Sequence, residues 1–239
     1  MFTSTKAIVL SKLRYSDHDL IVKCYTQQLG VVSYLLKGVL KNKRGTTKTA
    51  YFQLLSQLQI TSHHRENRSL QTIKDVKLNH HYISLQTNVL KTSVVMFLAE
   101  VLLSVLIEAE QNDTLFSYLE ATLLWLDNHS ECSNFHLLFL LNLTKHLGFY
   151  PDTSNIDYEY FNLYDGKFQN KKIEKYSISG ENLMLLKQLL GTTFDTLPLI
   201  KIKAKQRQSF LNMFLLYFEL HLGSFKKPKS LHIFNQVFS

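Results

Sequence analysis

The apolar residues of this chain change their period once, between residues 79 and 83, and that change sets most of what the chain can fold into. Before it, short runs rich in branched residues alternate with turn-like stretches: TKAIVLSKL, LIVKCYTQ, VVSYLLKG, FQLLSQLQIT and LQTIKDVKL. RYSDHD separates the first two, Gly30 turns the chain into the third, and SHHRENR links the last two as a hairpin loop. Side chains that alternate at period two fall on opposite faces of a strand. Five short strands at this spacing predict a small closed barrel of the oligonucleotide-binding (OB) type.

After the change, NVLKTSVVMFLAEVLLSVLIEAE, TLFSYLEATLLWLDNH and NFHLLFLLNLTKHLGF place apolar residues at helical spacing with few breakers. Asp113 is positioned to cap the second of these helices, and Ser133 or Asn134 the third. The third stops at Gly148 with Pro151 soon after, and His146 near that end can interact favourably with the helix dipole. A polar insert, PDTSNIDYEYFNLYDGKFQNKK, follows, and its Asp165-Gly166 pair predicts a tight hairpin turn. Helical patterns resume at GENLMLLKQLLG and KAKQRQSFLNMFLLYFELHLG, and Ser230 is placed to cap a last short helix. The predicted class is therefore α+β. An N-terminal five-stranded OB-type β-barrel over residues 1–80 precedes an α-helical domain over 81–239, with a small β-hairpin insert at about 151–175. No flexible linker marks the border, so the two parts are expected to pack together.

Several function classes are excluded at this stage. The two cysteines, Cys24 and Cys132, are too few and too far apart for a disulfide framework, which points to a reducing cytoplasm. MFTSTKAIVL lacks the parts of a signal peptide. The apolar run of residues 93–110 is broken by Glu100 and falls short of a membrane span, so it is read as a buried core helix and no membrane partner is expected. No G-x-S-x-G, H-E-x-x-H or G-x-x-x-x-G-K-[ST] pattern occurs. The pairs His63-His64 and His80-His81 have no companion cysteines or carboxylates, and Asp17, His18 and Asp19 share a turn without a catalytic partner. A nuclease would need clustered carboxylates for metal ions, and the acidic residues are scattered. The chain is read as no enzyme, with no cofactor and no metal.

Charge carries the positive indication. The stretch KGVLKNKRGTTK, directly after the third predicted strand, holds Lys37, Lys41, Lys43, Arg44 and Lys48 and no acidic residue. A second basic run holds Lys201, Lys203, Lys205 and Arg207, and a third holds Lys226, Lys227 and Lys229. With a formal net charge of +8, the three runs suit a polyanion, and together they would form a track for a phosphate backbone. Tyr15, Tyr25 and Tyr34 are the barrel aromatics that could stack on bases. An RNA-binding OB module of translation or ribosome assembly would use the same electrostatics and stands as the alternative.

The segment TKAIVLSKLRYSDHDLIVKCYTQQLGVVSYLLKGVLKNKRG resembles the opening of RecO, the bacterial recombination mediator family. HLLFLLNLTKHLGFYPD and the closing HLG..KKPKSLHIFNQ continue the resemblance over most of the chain. It implies an OB barrel followed by a helical domain, and a non-enzymatic protein that binds single- and double-stranded DNA and anneals complementary strands. It further implies work with RecR to load RecA on strands coated by single-strand-binding protein, in the cytoplasm at the nucleoid. Lys37, Lys41, Lys43, Arg44 and Lys48 then match the family's barrel DNA-contact loop. The acidic, Phe-ended tail of single-strand-binding protein would dock on the helix LLNLTKHLGF, with Leu141, Lys145, His146 and Leu147 as the pocket positions. Many family members carry a four-cysteine zinc site after this helix, whereas residues 151–180 here contain no cysteine. The hairpin is expected to hold that segment by packing.

Overall fold

The computed structural model describes residues 2–41, 49–65, 67–106, 110–172 and 175–238. The chain divides into two compact units, residues 1–128 and 129–239. Five strands open the first unit: β1 (Phe2–Arg14), β2 (Leu20–Thr26), β3 (Gly30–Leu36), β4 (Gln57–His63) and β5 (Leu70–Leu78). They close into a barrel in the order β1-β2-β3-β5-β4. All neighbours are antiparallel except β3 and β5, which run parallel and so need the long connection between β3 and β4. Alternate residues fill the interior, among them Val9, Val22, Cys24, Val32, Tyr34, Ile60 and Val76. Each buried aliphatic side chain stabilises the fold by about 1.5–3 kcal/mol. The fold class is the expected α+β, with a five-stranded closed barrel, a helical region and a small separate sheet.

The fourth strand differs from its predicted limits. It begins at Gln57, not Phe52. Residues 49–51 form one 3-10 turn, after which Phe52 and Leu55 insert fully buried at the barrel. Leu55 has φ 57°, donates its N–H to Val9 O at 2.8 Å, and leaves Val9 N–H to Ser56 O at 3.1 Å. These bonds satisfy β1 where its register shifts between Val9 and Ser11. The apolar run is buried because it plugs the barrel, a role that looks the same as a strand in sequence.

Two helices complete the first unit, α1 (Val89–Val105) and α2 (Asp113–Asn128). The secondary-structure type changes near residue 80, but the compact unit extends to 128 because specific polar contacts dock α2 on the barrel. Lys6 Nζ donates to both carboxylate oxygens of Glu120, at 2.9 and 3.0 Å, and Asn79 and Gln57 bond the same residue. Tyr25 packs its ring against Phe116 and donates its hydroxyl to Asn112 O. Asp127 accepts the backbone N–H groups of Ile83, Ser84 and Leu85 at 2.8–3.0 Å, fixing the segment that leads into α1. Asn112, one residue before the expected Asp113, caps α2 by accepting Leu115 N–H at 2.9 Å. No helix among the described residues is long and apolar enough to cross a membrane.

The second unit contains α3 (Phe135–Leu147), α4 (Gly180–Leu190), α5 (Ala204–His221) and α6 (Leu231–Val237). Gly148 ends α3 at φ 83°, in the left-handed conformation its position suggested. Asn134 stands at the start of α3 but makes no cap bond; its side chain instead donates to Ile200 O at 2.9 Å. The polar insert is a three-stranded sheet, β7-β6-β8, built from β6 (Tyr160–Asn162), β7 (Lys167–Gln169) and β8 (Ser177–Ile178). Phe161 and Phe168 pack edge to face across the hairpin at 4.9 Å.

Gly166 in the hairpin turn is fixed twice over. Its φ is +66°, and a Cβ there would sit 2.9 Å from Tyr217 Oη, which itself donates to Phe149 O. Gly148 is also left-handed, but open space surrounds its Cβ position. Gly148→Ala should therefore cost only the backbone strain, about 1 kcal/mol, and Gly166→Ala about 2–3 kcal/mol because a clash is added. Urea unfolding of the two variants checks this, and equal losses would remove the clash from the explanation.

Candidate nucleic-acid interface

Strand register determines what the barrel shows to solvent. Leu13 pairs with Ile21, Ile21 with Leu35, and Leu35 with Thr72, so these side chains form one row across the outside of β1, β2, β3 and β5. One step along, Ser11, Lys23, Ser33 and Leu70 form a second row. Leu13 is 66% exposed and Tyr15 beside it 60%. Further along, Tyr25 lies under α2, so the helix covers one end of this face and leaves the other open. Single exposed apolar residues are ordinary, but an aligned apolar row next to a lysine and an exposed tyrosine is a platform that bases can stack on.

The basic loop is held at the open end of that face. Asp19, in the β1–β2 loop, accepts Gly38 N–H at 2.7 Å, and Leu40 donates its N–H to His18 O at 3.0 Å. Gly38 takes φ +65° to make this turn. Asp19 thus serves as a brace for the start of the loop. Lys37 and Lys41 are exposed there, while Lys43, Arg44 and Lys48 lie outside the described residues. Residues 1–80 hold thirteen Lys and Arg against four Asp and Glu, and residues 81–239 hold fourteen against fifteen. The barrel therefore carries the whole positive charge of the chain.

Of the three candidate tyrosines, only Tyr15 is available. Tyr34 points into the barrel core, where burial pushes its hydroxyl pKa up, and Tyr25 is buried against α2, which raises it to about 12. Lys23 and the row Leu13, Ile21 and Leu35 were not among the expected site residues. The loop between β4 and β5 was read only as a turn, yet Arg65 and Arg68 stand on it. Arg65 Nε donates to His63 Nδ1 at 3.1 Å. Loss of solvation and the charges of Arg65 and Arg68 hold His63 below its usual range, which leaves the ring nitrogen free to accept.

In the second unit, Lys201, Lys203 and Lys205 are exposed as expected of phosphate contacts, but Arg207 is not. It is 9% exposed, donating to Phe238 O at 2.8 Å, Asn134 Oδ1 at 3.3 Å and Ile202 O at 3.4 Å. Its role is to tie the end of α6 to α5, which removes it from any backbone track. Lys226, Lys227 and Lys229 are exposed, and Lys227 pairs with Glu219 at 3.2 Å. Leu141 is fully buried in the core of α3. Lys145 is exposed and lies over the Tyr150 ring, while Leu147 is half-buried. His146 is pushed below its usual pKa, by burial first and then by Lys145, so the expected dipole stabilisation of its charged form does not dominate. A cavity of about 360 Å³ opens elsewhere, lined by Leu197, Ile200, Ile202, Lys201, Lys203 and Arg207, with Glu131 also on its wall.

Comparison with known proteins decides the family. The model of the Recombination protein O N-terminal region matches residues 1–82, and that of the Recombination protein O C-terminal region matches residues 86–232. The chain belongs to the RecO family. A relative from Christiangramia forsetii named DNA repair protein RecO is 48% identical over the full length of both chains. Proteins of the same name from Flavobacterium johnsoniae and Flavobacterium psychrophilum are 40% and 38% identical, again over both full lengths. As a RecO protein the chain departs from the zinc-bearing pattern, because residues 151–180 offer no thiolate. Phe161 of that segment packs on Phe168 and on Tyr217 of α5.

Proposed function

We propose that this RecO protein is a non-enzymatic recombination mediator that binds single- and double-stranded DNA through its barrel and anneals complementary strands. The observation that carries this is the open outer face of β1, β2 and β3, where an apolar row and Tyr15 adjoin Lys23 and the braced basic loop. Phosphates are neutralised by the cations while bases lie on the apolar row. Two strands held by one positively charged surface repel each other less, and complementary bases can then meet. No covalent step is required of any side chain. An annealing assay with complementary labelled oligonucleotides tests the proposal. The chain should accelerate pairing at low salt and lose the effect as salt rises, and pairing at the uncatalysed rate at every salt concentration would refute it.

The same reading gives the protein three partners by family resemblance: RecR, single-strand-binding protein through its acidic tail, and RecA indirectly, all in the cytoplasm. The cavity beside Lys201 and Lys203 suits such a tail better than the Leu141 position, since apolar walls and exposed cations meet there. Replacing Lys201 and Lys203 with Ala should weaken a labelled acidic peptide ending in Phe about tenfold, as two partly screened ion pairs are lost. Lys145→Ala should leave peptide affinity unchanged. Fluorescence anisotropy distinguishes the two, and the reverse order would return the tail to α3.

A further inference from the structure

We propose that Asp165-Gly166 is a latent isoaspartate site, where the backbone can rearrange through the Asp165 side chain, and that Asn162 and Gln169 hold it closed in the folded insert.

The chain has eight glycines, and Gly166 alone follows an Asp or an Asn. In that dipeptide no Cβ shields the glycine nitrogen from the preceding carboxyl group. The Gly166 nitrogen can attack Cγ of the protonated Asp165 carboxyl. The N–Cγ bond forms, the Cγ–OH bond breaks, and the amide proton and the hydroxyl leave as water. Water then opens the five-membered imide. Addition at Cγ restores aspartate. Addition at the main-chain carbonyl breaks the original peptide bond, frees an α-carboxylate and carries the chain on through Cγ. Water is lost and regained, so the mass is unchanged and no oxidant is needed, but the backbone gains one carbon.

The folded insert opposes each requirement of this path. Gly166 donates its N–H to Asn162 O at 2.9 Å, a bond the imide cannot keep because its nitrogen carries no hydrogen. Asp165 Oδ2 accepts Asn162 Nδ2 at 2.9 Å and Gln169 Nε2 at 3.2 Å, so the carboxyl group is tethered by two donors. Asn162 is itself fixed: it is 4% exposed, and its Oδ1 accepts Tyr164 N–H at 2.8 Å and Asp165 N–H at 3.4 Å. Tyr217 Oη stands 2.9 Å from the position of a Gly166 Cβ, which leaves the backbone little room to turn. Both reacting groups are thus tied to one buried asparagine.

Rearrangement would undo the hairpin. With an added backbone carbon in the turn, Asn162 cannot stay opposite Lys167 while Tyr160 stays opposite Gln169. The edge-to-face contact of Phe161 with Phe168 depends on that register.

The test is warm storage of the full chain at neutral pH beside a free peptide of residues 160–169. Isoaspartate at residue 165 is read in two ways: loss of cleavage by an aspartate-specific protease, and enzymatic methylation of the new α-carboxylate. The folded chain should rearrange at least about tenfold more slowly than the peptide. Asn162→Ala should speed the folded chain about tenfold, and Gln169→Ala about threefold. Urea unfolding verifies that the variants remain folded. If Asn162→Ala opens the hairpin, Gln169→Ala carries the test, because it removes one tether and leaves the turn bonds of Asn162 in place. A peptide that does not rearrange removes the latent site. A folded chain as fast as the peptide, or folded variants that keep the parent rate, would overturn the guarding role of the two side chains.

Discussion

With Lys37, Lys41, Lys43, Arg44 and Lys48 all exchanged for Ala, single-stranded DNA should bind with a log–log salt slope flatter by about 3.5, since each neutralised phosphate contributes about 0.7. At low salt this is a loss of several orders of magnitude in affinity, the largest effect expected of any surface change. Anisotropy titrations of parent and variant at matched salt concentrations measure it. Lys37 and Lys41 are exposed, so their exchange should leave folding unaffected. Asp19→Ala offers a second route to the same loop, because it removes the brace on Gly38 without removing any of the loop's cations. It should weaken binding with an unchanged slope. A five-residue variant with the parent's slope would show that the loop does not touch the phosphate backbone.

Asp127→Ala should be the most damaging single change to stability, at about 3–4 kcal/mol. The side chain is buried, and its removal strands three backbone N–H groups at the entry to α1. Lys91, also buried, donates to Ser84 Oγ at 2.6 Å and to Asp127 O at 2.8 Å, so the same region would loosen around a cation. The carboxyl itself is pulled in two directions. Burial raises its pKa, but the bonds from Ile83, Ser84 and Leu85 outweigh this and hold it below the usual range. A carboxylate depressed in the folded state adds stability that is complete above the unfolded pKa and is lost as pH falls through the folded one. Parent stability should thus decline below about pH 4, and Asp127→Ala should flatten that decline. Urea midpoints across pH 3–7, a range of about four units around the ordinary carboxylate value, test both statements. A variant as acid-sensitive as the parent would assign the decline to other carboxylates.

The barrel was legible in sequence because alternation and turn residues act locally, and both survive in β1, β2, β3 and β5. Phe52–Ser56 misled because an apolar run that plugs a barrel looks like one that forms a strand. Tyr25 points outward as its register requires, but nothing local announces that α2 covers it from more than eighty residues away. The docking of Lys6 on Glu120 is equally remote, across 114 residues. Arg207 is close in sequence to Lys203 and Lys205, and nearness in sequence alone groups the three. On a helix, residues two apart stand about 200° from each other, so Lys205 and Arg207 belong to opposite faces. One further signal stands in the sequence: Leu13, Ile21 and Leu35 are apolar at positions where an ordinary barrel exterior is polar. That departure from alternation marked the open face.

The central claim is that this face and its cations bind the backbone of a nucleic acid strand. It is tested most directly by the anisotropy of a labelled single-stranded DNA oligonucleotide titrated with the full chain at several salt concentrations, with unlabelled RNA of the same sequence as competitor. The account predicts tight binding at low salt, a steep negative log–log slope, and displacement by DNA at lower concentration than by RNA. Binding that is absent at low salt, or that does not change with salt, would contradict it.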